Sequence, residues 1–490
     1  MTALTGTLSA CLARHHVSIA MEPTAPKAAA GDAIARSSMN ARWTALYRQR
    51  ITLGDRHLIR QSAISFGTRV TGLVFALSAS VLLSRLLGLS GFGAYMIALG
   101  YASIASIVIR FGFDLAGQRF AAVYLDQART GHLRGFVATG MTAIVLGWLV
   151  MAASLFFAWE SGWSAIRSLS PLLVASAVAL SLLMALTGFL SVLLRVFDRV
   201  FESQLYEQLL RPLLLILFLC GAMLIGVTLA PDRAMMLTVA GLGLPLVMML
   251  IRVRNLIRNL PPQDREMSDR STWVRVGLVL LLMAVLQEVL NQIDLILLGM
   301  LGNNAEAGLL AAAQRLSALS VFGLAAIAAV AGPRIAAAFH RGDHAEVAAI
   351  ARLSARISFA SAVAIGGILA LAGPWILAVW GSEFTTAMPL LLVLLLGAMV
   401  NAATGLAGLL VILTGHERVA MICVGATLVV VVAAELVLIP AYGAMGAAIG
   451  SALGLSMWNG LLTIYVRRRL GIDCTVFGLR PRQPATPLVA

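Results

Sequence analysis

The chain is a succession of apolar runs of roughly 20 residues that recur along almost its whole length. A helix rises about 1.5 Å per residue, so one such run crosses a hydrocarbon core of ~30 Å. Lipid offers no water to backbone N–H and C=O groups, so a crossing segment must satisfy them internally, as a helix or in a closed barrel. Barrel strands of about ten residues are too short for these runs. Charge supports the same reading: 60% of the 490 residues are hydrophobic and 12% charged, against about 25% charged in an average soluble domain. Too few water-facing side chains remain to coat a soluble fold. The sequence predicts an all-α, polytopic membrane protein.

About twelve transmembrane helices can be drawn. In the first half they cover 62–87, 92–113, 135–159, 169–194, 210–230 and 234–251; in the second, 274–301, 307–332, 355–380, 387–413, 419–439 and 444–466. Residues 1–60, rich in Ala, Arg, Ser and Thr without an amphipathic period, read as a disordered cytoplasmic arm, and 469–490 as a cytoplasmic tail. With the N-terminus in the cytoplasm, 30 basic residues fall on the cytoplasmic side, Arg211 among them at the end of a loop. Two, Arg167 and Arg233, fall on the other. That asymmetry orients the chain by the positive-inside rule, with both termini cytoplasmic. The net charge of +14 is then a matter of topology and anionic lipid, and nucleic acid is not an expected partner.

No outer loop has room for a catalytic domain. Phosphate-loop, zinc-protease and serine-hydrolase motifs are absent, and the four cysteines lack metal-type spacing. No catalytic residue, metal or cofactor is expected, and the chain is not read as an enzyme.

An internal repeat is legible. Gly93 is followed 26 residues later by Arg119-Phe120-Ala121-Ala122, and Gly308 is followed 26 residues later by Arg334-Ile335-Ala336-Ala337. Each glycine stands just after a helix ending in Leu-Gly. Six helices per repeat is an even number, so the halves insert in the same orientation. They form an N-lobe (61–251) and a C-lobe (274–468), joined by a polar cytoplasmic linker (252–273) and related by a pseudo-two-fold along the membrane normal.

Ionisable groups in mid-span cost roughly 2.5–3.5 kcal/mol each on insertion scales, so they are rarely idle. They are Arg69, Glu288, Asp294, Arg315 and Glu435. The seventh span carries a polar sector, Gln287, Glu288, Asn291, Gln292 and Asp294, which reads as a cavity wall for substrate or a coupling cation, or as interhelical hydrogen bonding. Asp294 and Arg315 lie at matching depths on neighbouring spans, so an ion pair and a substrate site are equal readings. Arg69 reads as a cavity group for phosphate or carboxylate, or as a snorkelling side chain. Arg85 and Arg110, near span ends, read as snorkelling, and Glu435 as structural. Pro245 and Pro374 should kink their spans.

Three junctions resemble a known family. They are Leu82-Leu83-Ser84-Arg85-Leu86-Leu87-Gly88 with Gly91-Phe92-Gly93-Ala94-Tyr95; Ile293-Asp294-Leu295-Ile296-Leu297-Leu298-Gly299 with Ala311-Ala312-Ala313-Gln314-Arg315-Leu316; and Leu438-Ile439-Pro440-Ala441-Tyr442-Gly443-Ala444-Met445-Gly446. They are similar to turns of Wzx-type polysaccharide flippases, in the multidrug/oligosaccharidyl-lipid/polysaccharide exporter superfamily. The resemblance implies two six-helix lobes around a V-shaped cavity in the bacterial inner membrane. It implies export by alternating access of undecaprenyl-diphosphate-linked oligosaccharide for lipopolysaccharide or exopolysaccharide, alongside other polysaccharide-assembly proteins. It also implies that Arg69 and Arg315 meet the substrate, with Asn291 a third candidate, and that a proton or sodium ion couples at Glu288, Asp294, Gln287 or Gln292. Few arginines and no lysine lie at cavity depth, which departs from the pattern. The alternative is a cation-coupled multidrug exporter of the same superfamily.

Overall fold

The computed structural model of the protein describes residues 55–161, 170–226 and 229–478. The expected arm up to residue 54, Arg167 and residues 479–490 of the tail lie outside them. The chain separates into two units, Met1–Ile59 and Arg60–Ala490, and the helix bundle belongs to the second.

In the first half, α1 (Asp55–Ile109) is followed by α2 (Phe113–Asp126), α3 (Thr130–Glu160) and α4 (Pro171–Val196). Next, α5 (Val200–Gln204) runs through a π-helical turn, Leu205–Leu210, into α6 (Arg211–Leu224), and α7 (Pro231–Arg258) closes the half. The second half holds α8 (Arg270–Leu301), α9 (Asn304–Ser320), α10 (Phe322–His340), α11 (His344–Ala378), α12 (Met388–Thr404), α13 (Ala407–Leu413), α14 (Glu417–Tyr442) and α15 (Ala444–Tyr465). The all-α, polytopic membrane architecture is the one expected from the apolar runs.

Among the described residues ten helices are long and apolar enough to cross a membrane, or eleven if α9 and the start of α10, bent by 43°, count as one span. One of the ten, Phe66–Ile109, has 44 residues, about 66 Å at ~1.5 Å per residue and twice the ~30 Å of a hydrocarbon core. It breaks at Gly88, whose φ of 67° and ψ of −179° lie outside the helical region and suit only glycine. The expected number of twelve rests on taking that break as the turn between the first two spans.

Two expected boundaries are corrected. The eighth span is not straight but bends at Val321. The fifth begins at Val200 rather than 210, which moves Arg211 from a loop end into the middle of a helix. Proline explains the second case. Pro212 has no N–H to offer the Gln208 carbonyl, the turn widens to the π form, and that carbonyl lies where a Cβ on Gly72 would stand 2.7 Å away. Gly72 leaves room for it.

The apolar cores show how the halves meet. At the end of the bundle where Gly88 lies, one core joins both halves, with Leu83, Phe92 and Tyr95 from the first and Leu310, Ala311 and Leu391 from the second. Toward the linker end the core divides. One part is built from the first half with Trp273, the other from the second half alone.

The repeat glycines make the seam of the shared core. A Cβ on Gly93 would overlap the carbonyl of Asn304, and a Cβ on Gly308 would overlap the carbonyl of Leu89. Leu89 stands four residues before Gly93 and Asn304 four before Gly308, so the contact is two-fold symmetric, each glycine lying on the preceding turn of the other helix. Around it Ser84 donates to the Trp380 carbonyl at 3.0 Å, Arg85 Nε donates to the Val379 carbonyl at 2.7 Å, and the Phe92 and Phe384 rings meet edge to face. Arg85, exposed near the end of its span, ties the halves together.

At the opposite end the linker is a strap rather than a loose tether. Thr130 donates to the Pro261 carbonyl, the Gly131 N–H to Gln263 Oε1, and the Glu266 N–H to the Gly131 carbonyl. Beyond the last span, residues 471–478 fold back. The Val476 N–H bonds the Ala403 carbonyl at 3.0 Å, and Cys474 is fully buried.

Two outcomes follow from the seam and this folded-back segment. Gly93→Ala and Gly308→Ala should each lower the thermal stability of the purified protein by about 1–3 kcal/mol through overpacking. Because both break one contact, the double variant should lose less than the sum, and strictly additive losses would show the glycines to be independent. Burial pushes the Cys474 thiol up to about 12, so thiolate stays scarce until pH nears that value. At pH 8 site-resolved maleimide labelling should be at least a hundredfold slower, as an order of magnitude, than for an ordinary thiol of pKa ~8.5. Prompt labelling would mean that this segment is not packed as described.

Candidate functional site

Three of the places where polar groups gather within the apolar bundle hold most of the expected site residues. The first lies inside the second half. Asp294 on α8 is 4% exposed and Glu435 on α14 is 0% exposed. Gln314 on α9 donates to Asp294 Oδ2 at 3.0 Å, and Ser451 on α15 donates to the same oxygen. Glu435 faces Asp294 within hydrogen-bonding reach, yet neither Glu435 oxygen nor Asp294 Oδ1 meets a donor. Two carboxyl groups so placed in an apolar lobe need a proton or a cation between them. Beside them is a cavity of about 210 Å³, lined by Asn291, Asp294, Gln314, Ser317, Ser451 and Trp458 among others.

Local sequence explains how Glu435 gets there. Gly446, Gly450 and Gly454 recur one turn apart on α15, facing Leu438, Glu435 and Val431 of α14. Small residues let the two backbones close up in a membrane, and a Cβ at Gly450 would occupy the space of the Glu435 carboxyl. At the head of α15, Glu306 Oε2 accepts the Ala444 N–H at 2.6 Å, a carboxylate at a helix N-terminus.

The second place is the seam between α8 and the later part of α1. Ser103 donates to Glu288 Oε1, and Gln292 Nε2 donates to the same oxygen at 3.0 Å. The seam runs far along both helices: Gly112 lies on the Gly277 backbone, Gly100 on Gln292, and Gly299 on Ile97. The polar sector of the seventh span is thus divided. Asn291 and Asp294 line the cavity of the second half, whereas Glu288 and Gln292 bind the first half. Gln287 is half-buried and joins neither set.

The third place lies beneath the Gly93–Gly308 contact. Tyr95, 2% exposed, shares a 2.9 Å hydrogen bond with Thr238 on α7. One turn further along α7, a Cβ on Gly241 would stand 3.7 Å from the Arg211 carbonyl, so Tyr95 and Arg211 are held against the same stretch of helix. From the other half, Arg315 on α9 brings Nη2 to 3.6 Å from Met96 Sδ, the residue beside Tyr95. Arg315 Nε is enclosed and has no hydrogen-bond partner. Arg211 and Arg315 are both half-buried. Among the described residues neither arginine forms an ion pair.

Several expectations are corrected by this geometry. Asp294 and Arg315 do not pair: Gln314, not Arg315, faces Asp294, and neighbours on a helix point about 100° apart. Arg110 does not snorkel but pairs with Asp114 at 2.7 Å, with Gly188 leaving room for its guanidinium. Arg69 stays exposed, one turn from Gly72 and the displaced Gln208 carbonyl. Arg211 is a residue the sequence did not single out, and Glu435, read as structural, was not expected beside Asp294. A proline directly after the one, and a glycine repeat opposite the other, were the available signals.

This is the architecture of a polytopic helical membrane protein. A family model described as "Polysaccharide biosynthesis protein" matches residues 59–339, more than half of the chain, and the chain belongs to that family. A search of curated proteins finds no match. Among solved structures it is similar to an inward-facing multidrug resistance MATE family transporter of the MOP superfamily, at TM-score 0.65 and 13% identity over 84% of this chain and 98% of that one. It is similar to the lipid II flippase MurJ in an inward closed conformation, at TM-score 0.65 and 13% identity over 84% of this chain and 87% of that one. A MOP superfamily transporter from Pyrococcus furiosus Vc1 (DSM3638) matches at TM-score 0.58 and 14% identity, over 84% and 95%. At these identities the likeness is one of fold, and it falls in the superfamily that the junction motifs resemble.

The carboxyl pair makes a direct prediction for stability. Glu435→Gln supplies an amide N–H that can donate to Asp294 and should leave the melting temperature nearly unchanged. Glu435→Leu removes a partner from a buried carboxyl and should cost about 1–3 kcal/mol. Equal melting temperatures for the two variants would show that the carboxyl groups do not bond.

Proposed function

We propose that the protein is a flippase that carries an undecaprenyl-diphosphate-linked oligosaccharide across the bacterial cytoplasmic membrane by alternating access, for surface polysaccharide assembly. The observation that carries the reading is the division of the core in a chain of the polysaccharide biosynthesis family. The halves share one core at the Gly88 end and keep distinct cores toward the linker end, where the Gly112–Gly277 contact and the Phe66–Phe322 rings still join them. Positive-inside orientation puts the linker end and both termini in the cytoplasm, so the shared core lies on the outer side.

On this reading Arg315 and Arg69 meet the anionic headgroup, and Asn291 contributes from the wall of the second half. Asp294, together with Glu435, takes the coupling proton or sodium ion, while Glu288, Gln292 and Gln287 tie or line the interface. The protein moves its cargo without making or breaking covalent bonds and works beside other polysaccharide-assembly proteins. The second reading, a cation-coupled multidrug exporter, draws on the buried Asp294–Glu435 pair and the MATE-like fold.

A deletion strain separates the two. The lipid-linked oligosaccharide should accumulate on the cytoplasmic leaflet, with poor rescue by Arg315→Ala, Arg69→Ala and Glu288→Gln, each losing roughly tenfold or more as expected for a lost charge-assisted contact. Normal surface glycan with no trapped intermediate would remove the flippase reading and leave the exporter.

A further inference from the structure

We propose that the linker end of α8 is a docking groove for an anionic phospholipid of the cytoplasmic leaflet. Arg270 and Arg275 hold its phosphodiester, and Val274, Leu278 and Leu282 line the path of an acyl chain. The inference stands apart from the flippase reading and does not depend on the cargo.

Packing shows which way this part of α8 looks. Trp273 and Gly277 are buried, with Gly277 on the Phe111 carbonyl of the first half. Leu286 lies toward Gly425 of α14 and Leu290 toward Gly454 of α15, both in the second half. A third face carries Val274, Leu278, Leu282 and Met300, all exposed, Met300 at 66%. They share it because four residues turn a helix by about 400° and eighteen by about five whole turns. Met300 stands beside Leu297 and Leu298 of the core that joins the halves, so the stripe does not open into a space between them. It looks out to lipid. From Arg275 to Met300 is 25 residues, about 38 Å at ~1.5 Å per residue and a little more than the ~30 Å of a hydrocarbon core. With Met300 at one edge of that core, Arg275 stands among the headgroups at the other.

At its cytoplasmic end this stripe opens into a shallow hollow of about 710 Å³, lined by Arg270, Ser271 and Arg275 with Met267, Val274 and Leu278. Among the described residues neither arginine meets a carboxylate. Nearby acids of the strap are turned to the first half. Glu266 Oε2 lies 2.8 Å from His132 Nδ1, and Asp269 Oδ2 accepts the Tyr124 hydroxyl at 2.9 Å. Two bare guanidinium groups at headgroup depth therefore flank an apolar track. Phosphodiester oxygens fit their planar forks, and basic groups at this depth attract anionic lipid. A zwitterionic lipid brings the same phosphate with its own cation and gains less. Ser268 shares the hollow and lies 3.4 Å from His132 Nε2, so a lipid seated here also holds the strap against the first half.

The test uses the full chain in detergent micelles doped with phosphatidylglycerol or phosphatidylcholine, followed by native mass spectrometry and thermal melting. Wild type should retain phosphatidylglycerol roughly tenfold or more over phosphatidylcholine, as two basic contacts at a membrane surface provide, and should melt higher in its presence. The double variant Arg270→Gln/Arg275→Gln should bring that ratio to about threefold or less and lose the rise in melting temperature. A control double variant, Arg467→Gln/Arg468→Gln, changes two exposed arginines at the end of the last span and should keep both. A wild-type ratio in the α8 variant, or an equal loss in the two double variants, would overturn the groove. Inorganic phosphate that raises the melting temperature as phosphatidylglycerol does would give the site to a soluble anion and overturn the lipid. If the α8 double variant does not fold, the ratio in Arg275→Gln alone decides, an unchanged value overturning the groove. The flippase reading stands under every one of these outcomes.

Discussion

The arrangement depends on two backbones touching. At Gly93 and Gly308 there is no side chain on either helix, and each lies on the other's preceding turn. In lipid, burial of apolar surface does not drive helices together as it does in water, so close packing must supply the attraction. A glycine-to-glycine contact gives the nearest approach two helices can make. The ties from Ser84 and Arg85 to the Trp380–Val379 stretch and the shared apolar core are arranged around it. Because the contact is symmetric, it also marks where the two-fold axis relating the halves passes.

Away from that point the symmetry is abandoned, and the polar groups lie where it fails. Asp294 and Glu435 are enclosed by the second half alone. Arg315 has a repeat-equivalent that is a glycine. A duplicated bundle with identical halves would have a symmetric middle. The chain instead specialises one half for a buried carboxyl pair.

Much of this was legible in the residues and some was not, for identifiable reasons. The spans were legible because lipid imposes length and apolarity on every crossing segment. Gly93 and Gly308 stood out as a repeat, yet nothing in a one-dimensional pattern says that repeated glycines touch. Asp294 was visible as a mid-span carboxylate. So was Glu435, but not their pairing, because α8 and α14 are distant in sequence and their relative rotation is set by glycines on a third helix. The tie from Arg85 was not legible, since its partner is a main-chain carbonyl, which leaves no trace in sequence. Arg211 was hidden by Pro212, whose usual meaning is the start of a helix.

The contact between the first half and α8 has a mechanical meaning. From Gly277 to Gly299 it spans 22 residues of helix, about 33 Å at ~1.5 Å per residue and so the full depth of a bilayer. A joint that is tight over that whole depth behaves like the spine of a book. The covers can swing while the spine holds, and what lies between them opens along a fore-edge facing lipid. A molecule with a water-loving head and a very long oily tail could then be taken up sideways, its head between the pages and its tail left outside in the bilayer. The carrier would need no interior space for the tail.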